Sequence, residues 1–141
     1  MASTPDWLSL LPHRPPMRLV EEVLDVTPGE LARATRTAHP DDWYFQGHFP
    51  GVPVVPAIVL VELLAQTGGL AVGAAASDPS APVALRVAAF GGFKFPRAAA
   101  PGARLEATAR IAGRMGGLYK IEGDVTADGQ VVASGSLTLV E

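Results

Sequence analysis

Residues 56–76, PAIVLVELLAQTGGLAVGAAA, decide the fold because they form the one long apolar run of the chain. Proline suits the first turn of a helix, where its missing N–H costs nothing, so the run predicts a helix from Ala57 to Ala76, about 30 Å long. Its polar exceptions are Glu62, Gln66 and Thr67. A helix that is apolar on nearly every side must be covered by something else.

A membrane span is the competing interpretation of this run, since roughly twenty apolar residues can cross a bilayer. Glu62 and Gln66 would be costly in lipid, and no basic flank marks a cytoplasmic end. The strands predicted after the helix also need a core to cover. We therefore expect the helix to lie inside a folded domain, with no membrane insertion.

The rest of the chain predicts strands on both sides of this helix. Before it, residues 17–26 and 30–38 form a hairpin through the turn signal Pro28-Gly29, preceded by a short helical turn at 8–11. After it come four further strands, of which two alternate cleanly between apolar and polar residues. Gly116-Gly117 and Asp128-Gly129 are hairpin turn signals, so the last three strands should form a meander. The four predicted strands are 83–95, 103–112, 117–127 and 130–140.

These elements predict an α+β fold in which an antiparallel sheet of about six strands wraps around one long apolar helix. The chain of 141 residues is long enough for one core and short for two, so we expect a single domain spanning 1–141. A sheet that wraps one helix leaves strand edges exposed, and pairing two copies edge to edge would protect them. A homodimer is therefore expected.

The composition limits the classes of partner and compartment. The net charge of −3 gives no reason to expect nucleic acid. Cysteine is absent, which excludes disulfides and thiolate chemistry and fits a reducing compartment. The first residues lack a basic region followed by an apolar run, so we expect no secretory signal and a cytoplasmic location. A local excess of basic residues between Arg86 and Lys120 either binds an acidic partner or forms the solvated face of the strands.

One acid–base pair is plausible in the loop and helix spanning 45–66. His48 follows Gly47 in a constrained loop, and an imidazole can take up and return protons near neutral pH. Glu62 is the sixth residue of the apolar helix, where burial should raise its pKa and favour the acid form. The N–H groups at the helix start, near Ala57, could polarise a carbonyl oxygen. Gln66, one turn after Glu62, either orients it by a hydrogen bond or simply packs.

The other two histidines, His13 and His39, lie in no comparable setting in the sequence. His13 belongs to the segment Leu11-Pro-His-Arg14, just before the first predicted hairpin. His39 directly follows the second strand of that hairpin. We therefore assign neither of them a catalytic role from the sequence.

The chain resembles the (3R)-hydroxyacyl-acyl-carrier-protein dehydratases of fatty-acid synthesis, which have the hot-dog fold. The resemblance covers nearly the whole chain. It implies that His48 removes the C2 proton, that Glu62 of the partner subunit protonates the departing 3-hydroxyl, and that the Ala57 amide binds the thioester carbonyl. Its motifs are Leu11-Pro-His-Arg14, Gly47-His-Phe-Pro-Gly51 with Pro53 and Pro56, Glu62 with Ala65-Gln66, and Phe95 followed by Pro101-Gly102.

The resemblance also implies the partners and the remaining site residues. The acyl chain would arrive on the phosphopantetheine arm of acyl carrier protein, a small acidic protein that Lys94 and Arg97 would bind. Phe49, Ala57 and Gln66 are assigned to substrate binding, and neither a metal nor a cofactor is implied. Dimers, or trimers of such dimers, are the expected assemblies.

Four positions depart from the pattern of the family that the chain resembles. Ala57 stands where glycine is usual, and its methyl group would lie close to the thioester, so the preferred acyl chain can differ. The others are Pro15 for tyrosine, Glu22 for a basic residue, and Pro96-Arg97-Ala98 for a more basic stretch. Two alternatives therefore stay open beside dehydration: thioester hydrolysis on the same fold, and a non-catalytic subunit that binds acyl carrier protein.

Overall fold

In the computed structural model, six strands and one long helix account for most of the chain; residues 6–48, 51–76, 78 and 82–141 are described. Single 3-10 turns at Trp7–Leu10 and Trp43–Phe45 precede the helix. The helix α1 spans Ala57–Ala74 and ends two residues before its predicted end. The strands are β1 Glu22–Thr27, β2 Leu31–Thr37, β3 Arg86–Lys94, β4 Arg104–Met115, β5 Leu118–Ala127 and β6 Gln130–Val140.

The strands form one antiparallel sheet in the order β1-β2-β4-β5-β6-β3. The predicted meander of the last three strands is confirmed, with ladders running from β4 to β5 and from β5 to β6. Its second turn places both Asp128 (φ 48°) and Gly129 (φ 86°) in the left-handed region. That is the conformation which a two-residue hairpin turn needs, and for which Asp-Gly is favoured.

The core lies between α1 and the sheet. The helix contacts β2, β4, β5 and β6, and Leu63, Leu64 and Leu70 are fully buried. The alternation along β4 and β5 turns Leu105 and Ile121 toward the helix, where they too have no exposed surface. By length and hydropathy the helix would pass for a membrane span, yet 72% of it is buried inside the protein. The structure thus favours the core-helix interpretation.

The first strand is shorter than the sequence predicts. β1 begins at Glu22, whereas the prediction began at residue 17. The reason lies in α1: the side-chain oxygen of Gln66 accepts hydrogen bonds from the N–H groups of Leu19 (2.8 Å) and Val20 (3.4 Å). These backbone groups are therefore satisfied by the helix and not by a neighbouring strand.

β3 is an exposed edge of the sheet. It pairs with β6 on one side and with none of the other described strands on its far side. Seven of its nine residues are exposed, including the aromatic ring of Phe90 at 63%. An apolar, unpaired edge strand is a ready template for pairing with another chain.

Candidate active site

His48 lies in a loop that fixes its ring orientation through a backbone group. The loop turns at Gly47 (φ 74°), a conformation that favours glycine, and the His48 N–H donates to the carbonyl of Phe45 (3.3 Å). The ring atom Nδ1 lies 3.0 Å from the carbonyl oxygen of Val54. A carbonyl can only accept, so Nδ1 carries the proton and Nε2 is the basic nitrogen of the neutral ring.

The N-terminus of α1 lies beside this histidine. His48 and Ala57 line the same open groove, together with Trp43 and Ile58. Ala57 is the first residue of the helix, where a backbone N–H has no partner within the helix. Trp43 and Ile58 are 43% and 73% exposed, so the groove has an apolar rim. The arrangement combines a base, a backbone donor and an apolar surface.

Glu62 lies in a separate cavity of about 290 Å³ on the side of α1. Burial raises the pKa of its carboxyl group, while a hydrogen bond with Gln66 and the nearby His13 lower it in part, and the net direction is upward. Its side chain is 28% exposed, so the sequence overestimated its burial. The raised pKa increases the fraction of the acid form, which is the direction that a proton donor requires.

Gln66 is more deeply buried than Glu62, with 1% of its surface exposed. Its amide nitrogen donates to the carbonyl of Met17 (2.8 Å), while its oxygen accepts from the two N–H groups that precede β1. The residue therefore binds the segment before β1 to the helix, and its amide lies close enough to Glu62 to lower the pKa of that carboxyl group in part. Of the two alternatives raised by the sequence, the hydrogen bonds of Gln66 fit the structural role, and orientation of Glu62 stays a prediction.

His13 is the residue that sequence reasoning missed. Its Nε2 atom lies 3.8 Å from the Glu62 carboxylate, and it lines the same cavity. We found no comparable setting for it in the sequence, because the contact joins residues 49 positions apart. The one available signal was its place in the Leu11-Pro-His-Arg14 motif, to which no role had been assigned.

The structure of one chain does not bring His48 and Glu62 together. The groove that contains His48 and the cavity that contains Glu62 have no lining residue in common. A single reaction site using both groups thus needs a second source for one of them. Phe49, which the sequence assigns to substrate binding, lies outside the described residues.

Lys94 and Arg97 are exposed at the end of β3 and just after it. The segment that follows packs against the His48 loop, since the carbonyl of Ala99 accepts a hydrogen bond from the N–H of Val55 (2.8 Å). Val55 is adjacent to the carbonyl that holds His48. The two predicted docking residues therefore come directly before a segment that contacts this loop.

Comparison with known proteins identifies relatives over almost the whole chain. The model of the FabA-like domain matches residues 11–136. The 3-hydroxyacyl-acyl-carrier-protein dehydratase FabZ of Oleidesulfovibrio alaskensis is 41% identical over 134 residues, which cover 93% of this chain and 85% of the relative. The FabZ of Polynucleobacter necessarius subsp. necessarius is 38% identical, covering 93% and 87%.

Solved structures confirm the hot-dog fold. The dehydratase heterocomplex ApeI:P from Xenorhabdus doucetiae superimposes with a TM-score of 0.75 at 20% identity, covering 96% of this chain and 90% of the other. The HP0420 homologue from Helicobacter felis gives a TM-score of 0.71 at 16% identity, covering 99% and 91%. At these identities the likeness concerns the fold alone.

Proposed function

The chain belongs to the FabA-like family, among the FabZ-type dehydratases, and on that premise we propose that His48 and Glu62 are its catalytic base and acid. The reaction is the removal of water from a 3-hydroxyacyl thioester of acyl carrier protein, in fatty-acid biosynthesis. The proposal rests on one observation: His48 and Glu62 have the proton-transfer properties of a base and an acid. One is a ring whose Nε2 is basic, and the other a carboxyl group whose pKa is raised.

The base step follows from the orientation of the His48 ring. With Nδ1 donating to the Val54 carbonyl, Nε2 takes the proton from C2 of the substrate. The hydrogen bond at Nδ1 persists in the imidazolium ion and stabilises its charge. As C2 loses its proton, negative charge develops on the thioester oxygen, and the N–H of Ala57, the first residue of the helix, would bind that oxygen.

The acid step belongs to Glu62. Its protonated carboxyl group donates to the 3-hydroxyl, the C3–O bond breaks, and water leaves as the double bond forms between C2 and C3. The proton taken by His48 and the proton given by Glu62 balance, so the enzyme needs only a proton exchange to return to its starting state. We assign Gln66 and Phe49 to substrate binding, as the family resemblance implies.

We propose that the active unit is a homodimer, with Glu62 supplied to the His48 groove by the partner subunit. Two features support this arrangement. β3 is an unpaired edge with an exposed aromatic ring, and Ile58, which is 73% exposed, lies one helical turn before Glu62 on the same face of α1. A second copy that covers both would bury apolar surface and complete the site.

Acyl carrier protein is the proposed source of the substrate, with the cytoplasm as the compartment. Its acidic surface would bind Lys94 and Arg97, both of which are exposed. Because the segment directly after them contacts the His48 loop, a carrier bound there could extend its phosphopantetheine arm into the groove. Electrostatic attraction of this kind accelerates encounter more than it deepens affinity.

To test the proposal, the protein is incubated with 3-hydroxyacyl carrier proteins of several acyl chain lengths, and the mass of the acyl carrier protein is then measured. Loss of one water, with the thioester intact, is the expected result. Release of the free acid and of the carrier thiol would instead identify a thioesterase. An unchanged hydroxyacyl carrier at every chain length, together with binding of the carrier, would favour a non-catalytic binding subunit, and either result would overturn the proposal.

A further inference from the structure

His13 and Glu62 come together because the segment before β1 is bound to α1 on both sides of the histidine. Before His13, Leu11 is buried and packs beside Gly69 of the helix. After it, the amide of Gln66 binds the backbone at Met17, Leu19 and Val20. The position of the His13 ring relative to the helix is thus set by contacts at both ends.

Arg14 locks the turn between these two attachments. Its Nη1 donates to three successive carbonyls, those of Leu11 (3.0 Å), Pro12 (3.3 Å) and His13 (2.8 Å). A guanidinium that binds its own turn in this way holds a rigid loop. The motif Leu11-Pro-His-Arg14 therefore forms a turn held by hydrogen bonds, and the side chain of His13 lines the Glu62 cavity.

The surroundings of the His13 ring decide which nitrogen carries its proton. Nδ1 is buried and has no hydrogen-bond partner among the described residues. A bare N–H is rarer in protein interiors than a bare acceptor, so the neutral ring keeps its proton on Nε2. That atom lies 3.8 Å from the carboxylate of Glu62, which is longer than a hydrogen bond, so the N–H would act on the oxygen that becomes charged as a nearby dipole.

We propose that His13 is a positioning residue for the acid step, which stabilises the Glu62 carboxylate as its proton passes to the departing hydroxyl. The inference rests on the proposed function, in which Glu62 is the acid. A donor aimed at the atom where charge develops stabilises the transition state more than the ground state. The other polar groups that face Glu62 are Gln66 of α1 and Arg86 of β3.

The experiment compares His13→Asn with His13→Gln, whose side-chain amides differ in reach by one methylene group. We expect His13→Asn to lower kcat about tenfold with little change in KM, because a donor to a charged group is lost. The pKa of Glu62, followed by carbon NMR of glutamate-labelled protein, should rise further, and the limb of the pH–rate profile that reports Glu62 should move to higher pH. His13→Gln should recover part of each effect.

His39→Asn is the matched control, since His39 also pairs with a glutamate, Glu21, but lines neither cavity of the site. It should leave kcat and the Glu62 titration unchanged. A folded His13→Asn variant with wild-type Glu62 titration and pH profile would overturn the inference. The titration needs no substrate, so it gives a result even if the wild-type protein forms no enoyl product, which would instead count against the proposed function.

Discussion

The two halves of the proposed site are held in different ways. His48 is oriented by backbone groups, namely the turn at Gly47 and the Val54 carbonyl. Glu62 is surrounded by side chains, those of Gln66 from α1 and of His13 from the segment before β1. Backbone contacts depend little on residue identity, whereas side-chain contacts can be lost by one substitution. The orientation of the proposed base thus depends on the loop backbone, while the environment of the proposed acid depends on neighbouring side chains.

The largest expected effect is a loss of turnover when either His48 or Glu62 is replaced. His48→Ala and Glu62→Gln should each lower kcat about a thousandfold, because each deletes one proton-transfer group. Measurement of enoyl-carrier formation by each purified variant tests this. His39→Ala is the control and should retain wild-type turnover. If one variant kept wild-type turnover, the residue replaced in it would not be a proton-transfer group of the reaction.

The second prediction concerns where the two halves meet. Co-expression of His48→Ala with Glu62→Gln chains should recover about one quarter of wild-type turnover, because random pairing gives half mixed dimers, each with one intact site. Purified mixed dimers, which carry a different tag on each chain and have one intact site of two, should show about half of wild-type turnover. Mixed dimers as inactive as either parent would place both groups within one subunit.

A smaller effect is expected at the docking surface beside the His48 half. Replacing both Lys94 and Arg97 by alanine should raise KM for the acyl carrier substrate about fivefold, with the effect shrinking at high salt. Steady-state kinetics with the carrier and with a coenzyme A thioester, which lacks the acidic protein, separate docking from chemistry. Lys120→Ala is the control, since Lys120 lies near the opposite end of the strands. An equal rise in KM for coenzyme A would argue against a docking role.

The smallest effect concerns stability at the Glu62 half. Its pKa is raised in the folded protein, so protonation stabilises the fold at low pH, and this stabilisation is lost as the pH rises through that pKa. Glu62→Gln mimics the acid form and should raise the free energy of unfolding near neutral pH by about 1 kcal/mol or less. Urea unfolding of the variant and the wild type should show that the difference in the free energy of unfolding is smaller at mildly acidic pH than near neutral pH.

Glu21→Gln supplies a control of opposite sign. Burial raises the pKa of Glu21, but hydrogen bonds to His39 and to the Thr37 N–H outweigh it, and the net direction is downward. The native carboxylate therefore stabilises the fold above the unfolded pKa. Glu21→Gln should destabilise the protein near neutral pH, where Glu62→Gln stabilises it. A loss of stability in both variants would contradict the raised pKa of Glu62.

The sequence predicted the fold well wherever local patterns govern structure. Alternation along β4 and β5 and the turn at Asp128-Gly129 placed the last strand at 130–140, as observed. The predicted length of β1 was wrong, because the Gln66 amide binds Leu19 and Val20 from 47 and 46 positions away. No local pattern records such a contact.

The same limit applies to the site. His48 and Glu62 could be selected from their own surroundings in the sequence, a glycine turn and an apolar helix. His13 could not be selected in this way. Its place beside Glu62 depends on the hydrogen bonds by which Arg14 and Gln66 hold the segment around it. The burial of Glu62 was overestimated for a related reason. The composition of the helix shows that its neighbours along the chain are apolar, but it does not show the cavity next to the Glu62 side chain.

The hydropathy of α1 has a consequence for synthesis. The helix leaves the ribosome before β3 to β6, and its cover is complete only when β6, which ends at Val140, has formed. Until then the nascent chain presents a segment as apolar as a membrane span. A chain interrupted before β6 would therefore expose apolar surface of the helix, which favours aggregation and binding by chaperones.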